Sequence, residues 1–152
     1  MRTEHDFNKL MSRELKKIRW IHFIKAADKY SPGISDFLIW GQGKGVFIEN
    51  KFVKIRPSPN SKLLTHPFSS KQVSFLRGMT IVSGCPAWGV IYIASEKTLH
   101  CVPSWLLPFE GNWKTKDFFA EHTFPVTDIE KMIQTIFSEE NKCLYQQLQE
   151  KI

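Results

Sequence analysis

Three charged residues are of types that can take part in catalysis, and their spacing could bring them together: Asp36, Glu49 and Lys51. Glu49 and Lys51 stand two positions apart in an otherwise apolar run, VFIENKFV (46–53). In a β-strand, residues i and i+2 point to the same face, so this carboxylate and this ammonium would be neighbours. Burying either charge is costly unless it has partners. The run therefore predicts a strand that carries a polar site.

Asp36 comes within range of these two residues through a predicted hairpin. It lies in an apolar segment, ISDFLIW (34–40), and a glycine-rich stretch at 41–45 connects that segment to the next strand. Strands joined by a tight turn are antiparallel, and their residues face each other in pairs. A turn centred on 41–44 would place Asp36 close to level with Glu49.

Two carboxylates this close repel each other unless a cation or a proton lies between them. Carboxylate oxygens suit Mg²⁺ or Mn²⁺, which indicates a metal site. A nearby lysine such as Lys51 can then orient an attacking water or stabilise developing charge. The alternative on spacing alone is a structural salt bridge from Lys51 to Asp36 or Glu49.

The elements that would position these residues follow from hydrophobic periodicity and from capping and turn residues. Thr3 is a candidate N-cap for the first helix, and Ser69 or Ser70 for the second. Thr127 and Glu130 form a candidate capping box for a C-terminal helix. The predicted order is helix 4–18, strands 19–26, 34–40 and 45–53, loop 54–67, helix 70–80, strands 88–95 and 98–103, irregular chain 104–126, and helix 127–150. This order predicts a mixed α/β domain.

Length and composition are those of one ordinary globular domain. The chain has 152 residues, of which 42% are hydrophobic and 24% charged, so we expect a single domain, 1–152. No apolar run is long enough for a membrane span, and the start, MRTEHDFNKL, is unlike a secretory signal. The three cysteines lack paired spacing, which argues against disulfides and a zinc site. We expect a cytoplasmic protein with no membrane partner.

The charge is distributed unevenly along the chain. Residues 1–80 contain 15 Lys and Arg against 6 Asp and Glu, whereas residues 81–152 contain 6 against 9. A basic half beside an acidic half indicates a face that meets a polyanion such as DNA. Basic chains are common, however, so charge alone does not distinguish a nucleic-acid-binding face from an ordinary basic surface.

The order of these motifs resembles the PD-(D/E)xK nuclease superfamily. GISD (33–36) is followed after twelve residues by ENK (49–51). SSKQVSFL (69–76) resembles the start of the second core helix in Holliday-junction resolvases and virus-type replication–repair nucleases, and GCPAWGV (84–90) resembles the strand that follows. The likeness runs from about residue 3 to 95. Ser35 replaces the usual Pro, and Asn50 replaces an apolar residue or Thr.

The resemblance implies a fold and a role for each motif residue. The expected fold is a restriction-endonuclease-like core (αβββαβ, a mixed central sheet flanked by helices) over about 3–103, with a C-terminal helical addition over about 104–152. Mg²⁺, with Mn²⁺ as a substitute, would be held by Asp36, Glu49 and the Asn50 carbonyl, and Lys51 would orient the attacking water. Gln72 would bond the site or the scissile phosphate. Glu4 fits the position of the first-helix acid better than Glu14, which stays an alternative.

Five basic residues are candidate DNA contacts: Lys25, Lys54, Arg56, Lys62 and Lys71. Lys25 ends a predicted strand, and an exposed lysine there needs no function. Lys54, Arg56 and Lys62 lie on the loop that leaves the strand of Glu49, where they could clamp a phosphate backbone. A solvated surface loop fits the same pattern equally well.

The resulting prediction is a metal-dependent DNA endonuclease that leaves 5′-phosphate ends and acts on branched DNA in the manner of a Holliday junction resolvase. Such an enzyme would act in recombination or repair as a homodimer, since it makes two coordinated cuts. Phage origin, and hence a host cytoplasm, is part of the same expectation. The alternatives are a nuclease for flaps, single strands or ends, and a non-catalytic DNA-binding module. The helix at 127–150 could serve the dimer or pack on its own core.

Overall fold

In the computed structural model, which describes residues 2–26 and 36–139, a six-stranded mixed sheet lies between helices. The elements in chain order are α1 (Glu4–Leu15), β1 (His22–Lys25), β2 (Phe37–Gly41), β3 (Lys44–Val53), α2 (Ser70–Ser83), β4 (Ala87–Ile93), β5 (Thr98–Pro103), β6 (His122–Pro125) and α3 (Ile129–Ser138). Two short 3-10 helices, Ser104–Leu106 and Thr115–Asp117, lie between β5 and β6. The predicted core order αβββαβ is confirmed.

The strands lie in the sheet in the order in which they occur along the chain, β1 to β6. The β3–β4 pair is parallel, and every other neighbouring pair is antiparallel. All seven residues of β4 are buried, as expected for a central strand covered on both faces. Because β3 pairs with both β2 and β4, the strand that carries Glu49 and Lys51 is in the interior of the sheet.

Two apolar clusters fill the space on the two faces of the sheet. On one face, α1 and α3 pack through side chains such as Phe7, Met11 and Ile133. On the other, α2 contributes Val73 and Leu76, which meet side chains of the chain before α2 and after β5. The sheet is therefore the middle of three layers, and the first turns of α1 and α2 lie on opposite faces.

The predicted irregular stretch 104–126 has more structure than expected. It contains β6, the edge strand that pairs with β5. It also holds the loop before α2 through a ladder of backbone bonds. The Leu63 N–H donates to the Trp113 carbonyl at 2.9 Å, and the Phe68 N–H donates to the Gly111 carbonyl at 2.9 Å. Loop 54–67 is thus anchored along part of its length.

The last helix differs from its prediction at both ends. α3 begins at Ile129, and its N-cap Asp128 makes no side-chain capping bond. The predicted capping box of Thr127 and Glu130 is therefore wrong. Glu139 has an extended backbone and ends the helix, and residues 140–152 lie outside the described part of the chain. No helix in the described ranges is long and apolar enough to cross a membrane.

We predict that Gly111→Ala destabilises the fold much more than Gly43→Ala. Both glycines have positive φ, +73° and +76°, so each substitution carries the same backbone strain of about 1 kcal/mol. A Cβ at Gly111 would also lie 1.8 Å from the Phe68 carbonyl oxygen, whereas Gly43 has open space. Urea unfolding should show a loss of about 3 kcal/mol or more for Gly111→Ala against about 1 for Gly43→Ala. Equal losses would contradict the packing of residue 111 on the loop.

Candidate metal centre

Three carboxylates meet where α1 begins, β2 begins and β3 passes. They belong to Glu4 in the first turn of α1, Asp36 directly before β2, and Glu49 in β3. One oxygen from each lies within 4.8 Å of the other two. Glu49 is 2% exposed, Asp36 is 7% exposed, and Glu4 is half-buried. A single cation could contact all three groups.

The β2–β3 turn sets two of these carboxylates level. Its central residues, Gln42 and Gly43, both have positive φ (53° and 76°), as in the type I′ hairpins that match the twist of a sheet. The turn pairs Phe37 with Ile48, so the next residues outward are Asp36 and Glu49. The Asp36 N–H donates to Glu49 Oε2 at 3.1 Å.

Asp36 is held by two further donors, and one of them was missed from sequence. The Asn50 N–H donates to Asp36 Oδ2 at 2.7 Å, and Asn8 Nδ2 donates to Asp36 Oδ1 at 3.4 Å. Asn50 Nδ2 in turn donates to Asn8 Oδ1 at 2.8 Å. Asn8 lies one turn after Glu4, next to the buried Phe7 and within the apolar stripe of α1. A polar residue in an apolar helical stripe was the available signal.

Glu49 is bonded from the opposite layer by Gln72. Its Nε2 donates to Glu49 Oε1 at 2.7 Å. The Gln72 Oε1 accepts from the Ser69 N–H, and the Gln72 N–H donates to Ser69 Oγ, which completes a capping box. One side chain therefore caps α2 and orients a carboxylate of the cluster.

Lys51 lies beside Glu49 on the same face of β3. Its Nζ is 4.0 Å from Glu49 Oε1 and 5.2 Å from the centre of the Phe68 ring, and the residue is buried. Gly89 of β4 pairs with Glu49, and a Cβ there would come within 2.8 Å of the Phe68 ring. The absence of a side chain at Gly89 thus makes room for the ring that packs against Lys51.

The electrostatics of the cluster favour added positive charge. Burial, and then the charge of Asp36, raise the pKa of Glu49 to about 9. Burial also raises the pKa of Asp36 and of Glu4, while Lys51 opposes each of these shifts. One ammonium therefore does not neutralise three carboxylates. The donors are all oxygens, which fits a hard divalent ion such as Mg²⁺ or Mn²⁺.

The structure distinguishes the two candidates for the first-helix acid, Glu4 and Glu14. Glu14, the alternative first-helix acid, forms salt bridges with Arg13 and Lys17 at distances of 3.6 and 3.0 Å. It lies outside the cluster that includes Glu4. The backbone carbonyl of Asn50 stays a predicted ligand. Its side-chain oxygen is buried and accepts no hydrogen bond from the described residues.

The candidate DNA contacts divide into two groups. All five are exposed, and for four of them, Lys25, Lys54, Lys62 and Lys71, no acidic partner is found among the described residues. Arg56 instead forms a bidentate pair with Glu96, with nitrogen–oxygen distances of 2.6 and 2.9 Å. This pair connects loop 54–67 to the β4–β5 turn, so a DNA contact by Arg56 would compete with an existing partner.

Comparison of the fold with solved structures finds Hjc of the archaeal hyperthermophile Archaeoglobus fulgidus, a Holliday junction resolvase. The TM-score is 0.51 at 19% sequence identity, covering 77% of this chain and 88% of Hjc. The fold is restriction-endonuclease-like. At this identity the likeness shows the fold alone, so the PD-(D/E)xK superfamily and its virus-type replication–repair branch stay predictions. No protein-family model and no curated protein matches the chain.

We predict that the metal-free protein loses stability as the pH rises from about 5 to 9. The ordinary pKa of Glu49 is 4.5 and the folded value about 9, so between them the folded state keeps a proton that the unfolded chain has released. The free energy of unfolding in EDTA should fall by up to about 1.4 kcal/mol per pH unit. Glu49→Gln should flatten this dependence, and Glu14→Gln should keep it. Mg²⁺ should stabilise the wild type more at pH 8 than at pH 6, because it competes with the proton.

We predict that Asn8→Ala weakens both the fold and metal binding. It removes the acceptor for Asn50 Nδ2 and a donor to Asp36, which should cost about 2–3 kcal/mol in urea unfolding. The double variant Asn8→Leu/Asn50→Leu should recover much of this stability but not the affinity for Mn²⁺ measured by calorimetry. Thr80→Val, which removes a buried hydroxyl bonded to Ser104, should lose about 1 kcal/mol and keep its affinity. Normal Mn²⁺ binding by Asn8→Ala would refute the role of this amide.

Proposed function

We propose that the chain is a metal-dependent DNA endonuclease that hydrolyses phosphodiester bonds in branched DNA. The observation that carries the proposal is the group formed by the buried Asp36 and Glu49 and the half-buried Glu4, with Lys51 beside it. Three clustered carboxylates, two of them buried, with one ammonium lower the stability of the metal-free fold, and a purely structural site would gain nothing from this. A hydrolytic site explains the arrangement.

In this proposal Asp36, Glu49 and Glu4 hold one or two Mg²⁺ ions, together with the Asn50 carbonyl. The bound ion would supply charge neutralisation at the phosphate and a water nucleophile at neutral pH. Lys51, which packs on the Phe68 ring, orients that water and stabilises developing negative charge. The products carry 5′-phosphate and 3′-hydroxyl ends.

The surrounding amides act as positioning residues. Gln72 bonds Glu49 from α2, and Asn8 bonds Asp36 from α1. Each comes from the first turns of a helix on a different face of the sheet, so the two carboxylates are restrained from both sides. Such restraint reduces the reorganisation needed when charge develops in the reaction.

Three features support DNA as the substrate and a branch as its form. The first 80 residues carry an excess of basic side chains, and four candidate lysines are exposed. The fold is that of a Holliday junction resolvase from Archaeoglobus fulgidus. Cutting a junction needs two coordinated incisions, so we include a homodimer in the proposal. The alternatives are a nuclease for flaps, single strands or ends and a non-catalytic DNA-binding module. The cytoplasmic location and the phage origin stay predictions.

We expect metal-dependent paired nicks in a labelled four-way junction, tested beside flap, duplex and single-stranded DNA with Mg²⁺, Mn²⁺ or EDTA. Lys51→Ala should reduce kcat by about 10²–10⁴-fold with little change in KM, because the lysine acts on the transition state. Lys131→Ala, which removes an exposed lysine of α3, should cut normally. Glu49→Gln should also be inactive while remaining folded.

The other outcomes separate the alternatives. Cutting of flaps or single strands alone would retain the nuclease and reject the resolvase. Binding without cutting of any DNA, unaffected by EDTA, would favour a non-catalytic module.

A further inference from the structure

A hollow of about 420 Å³ lies directly beside the carboxylate cluster. Its walls come from the start of α1 at 2–4, the end of β3 with the residues that follow at 52–55, and loop residues between 57 and 66. Glu4 belongs both to the wall of this hollow and to the cluster. A group bound here would therefore adjoin the group bound at the metal centre. The volume falls within the range of roughly 300–1,000 Å³ that is typical of small-ligand sites.

Part of the lining of the hollow is apolar. Phe52, Ile55, Pro57 and Leu63 line it. Ile55 is 67% exposed, and it stands between Lys54 and Arg56 in the loop. A single exposed isoleucine is ordinary, but here it joins a half-buried phenyl ring and a proline around one concavity. Such a wall suits a flat, weakly polar group such as a nucleobase.

Another part of the lining of the hollow is basic. Arg2, Lys54 and His66 line it, and Glu4 is the acidic residue among its described lining residues. Basic side chains around an opening provide contacts for phosphate groups. A lining that is partly apolar and partly basic matches the two parts of a nucleotide, its base and its phosphate.

We propose that this hollow receives one unpaired nucleotide of the DNA strand, adjacent to the phosphate at the metal centre. The inference rests on the proposed nuclease function for what lies at that centre. A base within a continuous duplex is stacked on both faces and paired, and removing it costs a few kcal/mol. A nucleotide in a flap or a bulge is already unpaired, and a base pair at the branch point of a junction lacks a continuous stack. The hollow thereby selects DNA with an unpaired nucleotide at the cut over continuous duplex.

The test compares two fluorescently labelled duplexes that differ only by one extra, bulged nucleotide in one strand. The affinity of the protein for each is measured in Ca²⁺. Wild type should prefer the bulged DNA about ten-fold, within the range that stacking of one base can supply. Ile55→Ser should reduce the preference to about two-fold and leave affinity for the continuous duplex unchanged. The matched variant is Ile81→Ser, since Ile81 is 51% exposed on α2 and does not line the hollow. It should behave as wild type.

Equal affinity of the wild type for both DNAs, or the same loss in Ile81→Ser, would overturn the inference. Cleavage of the same substrates in Mg²⁺ tests the underlying function separately. If nothing is cut but the preference depends on Ile55, the nuclease proposal fails and the nucleotide site stands. If DNA is cut and the preference does not depend on Ile55, the nuclease stands and the nucleotide site is wrong.

Discussion

The burial of Asp36 and Glu49 side by side is the constraint on which the rest of the site depends. Two carboxylates that are both nearly out of water repel each other and are poorly solvated. The protein offsets this cost only in part, through donors from Asn8, Gln72 and two backbone N–H groups. Lys51 adds one positive charge at 4.0 Å from Glu49, and the pKa of Glu49 still rises to about 9. The carboxylates therefore carry more negative charge than Lys51 balances, which distinguishes this site from a simple salt bridge.

Each layer of the fold contributes to holding that unfavourable pair. The sheet supplies both carboxylates, because a two-residue turn sets the register of β2 on β3. α1 supplies Glu4 and Asn8 from one face, and α2 supplies Gln72 from the other. A site built on strands and first helical turns moves little, and under the proposed function this suits groups that would hold a metal ion and a phosphate at defined distances.

The chain after β5 is part of this support. Its segment 111–115 bonds to residues 61–68 before α2 and so places Phe68 against Lys51. Those residues also form one wall of the hollow beside Glu4. The segments on either side of the boundary expected near residue 103 thus pack against each other in the fold. The hollow and the carboxylate cluster share Glu4, so under the proposed function any selection of the DNA form would occur next to the phosphate that is cut.

Sequence alone determined the features that depend on local spacing. The order of the core elements follows from periodicity, and the GQGK turn with its flanking strands brings Asp36 level with Glu49. The common face of Glu49 and Lys51 follows from the two-residue period of a strand. Only the tertiary structure decided that Glu4 rather than Glu14 joins the cluster, that Asn8 bonds Asp36, and that Arg56 pairs with Glu96. These contacts join residues at least 28 positions apart, and they depend on how whole layers pack, which hydrophobic periodicity does not encode.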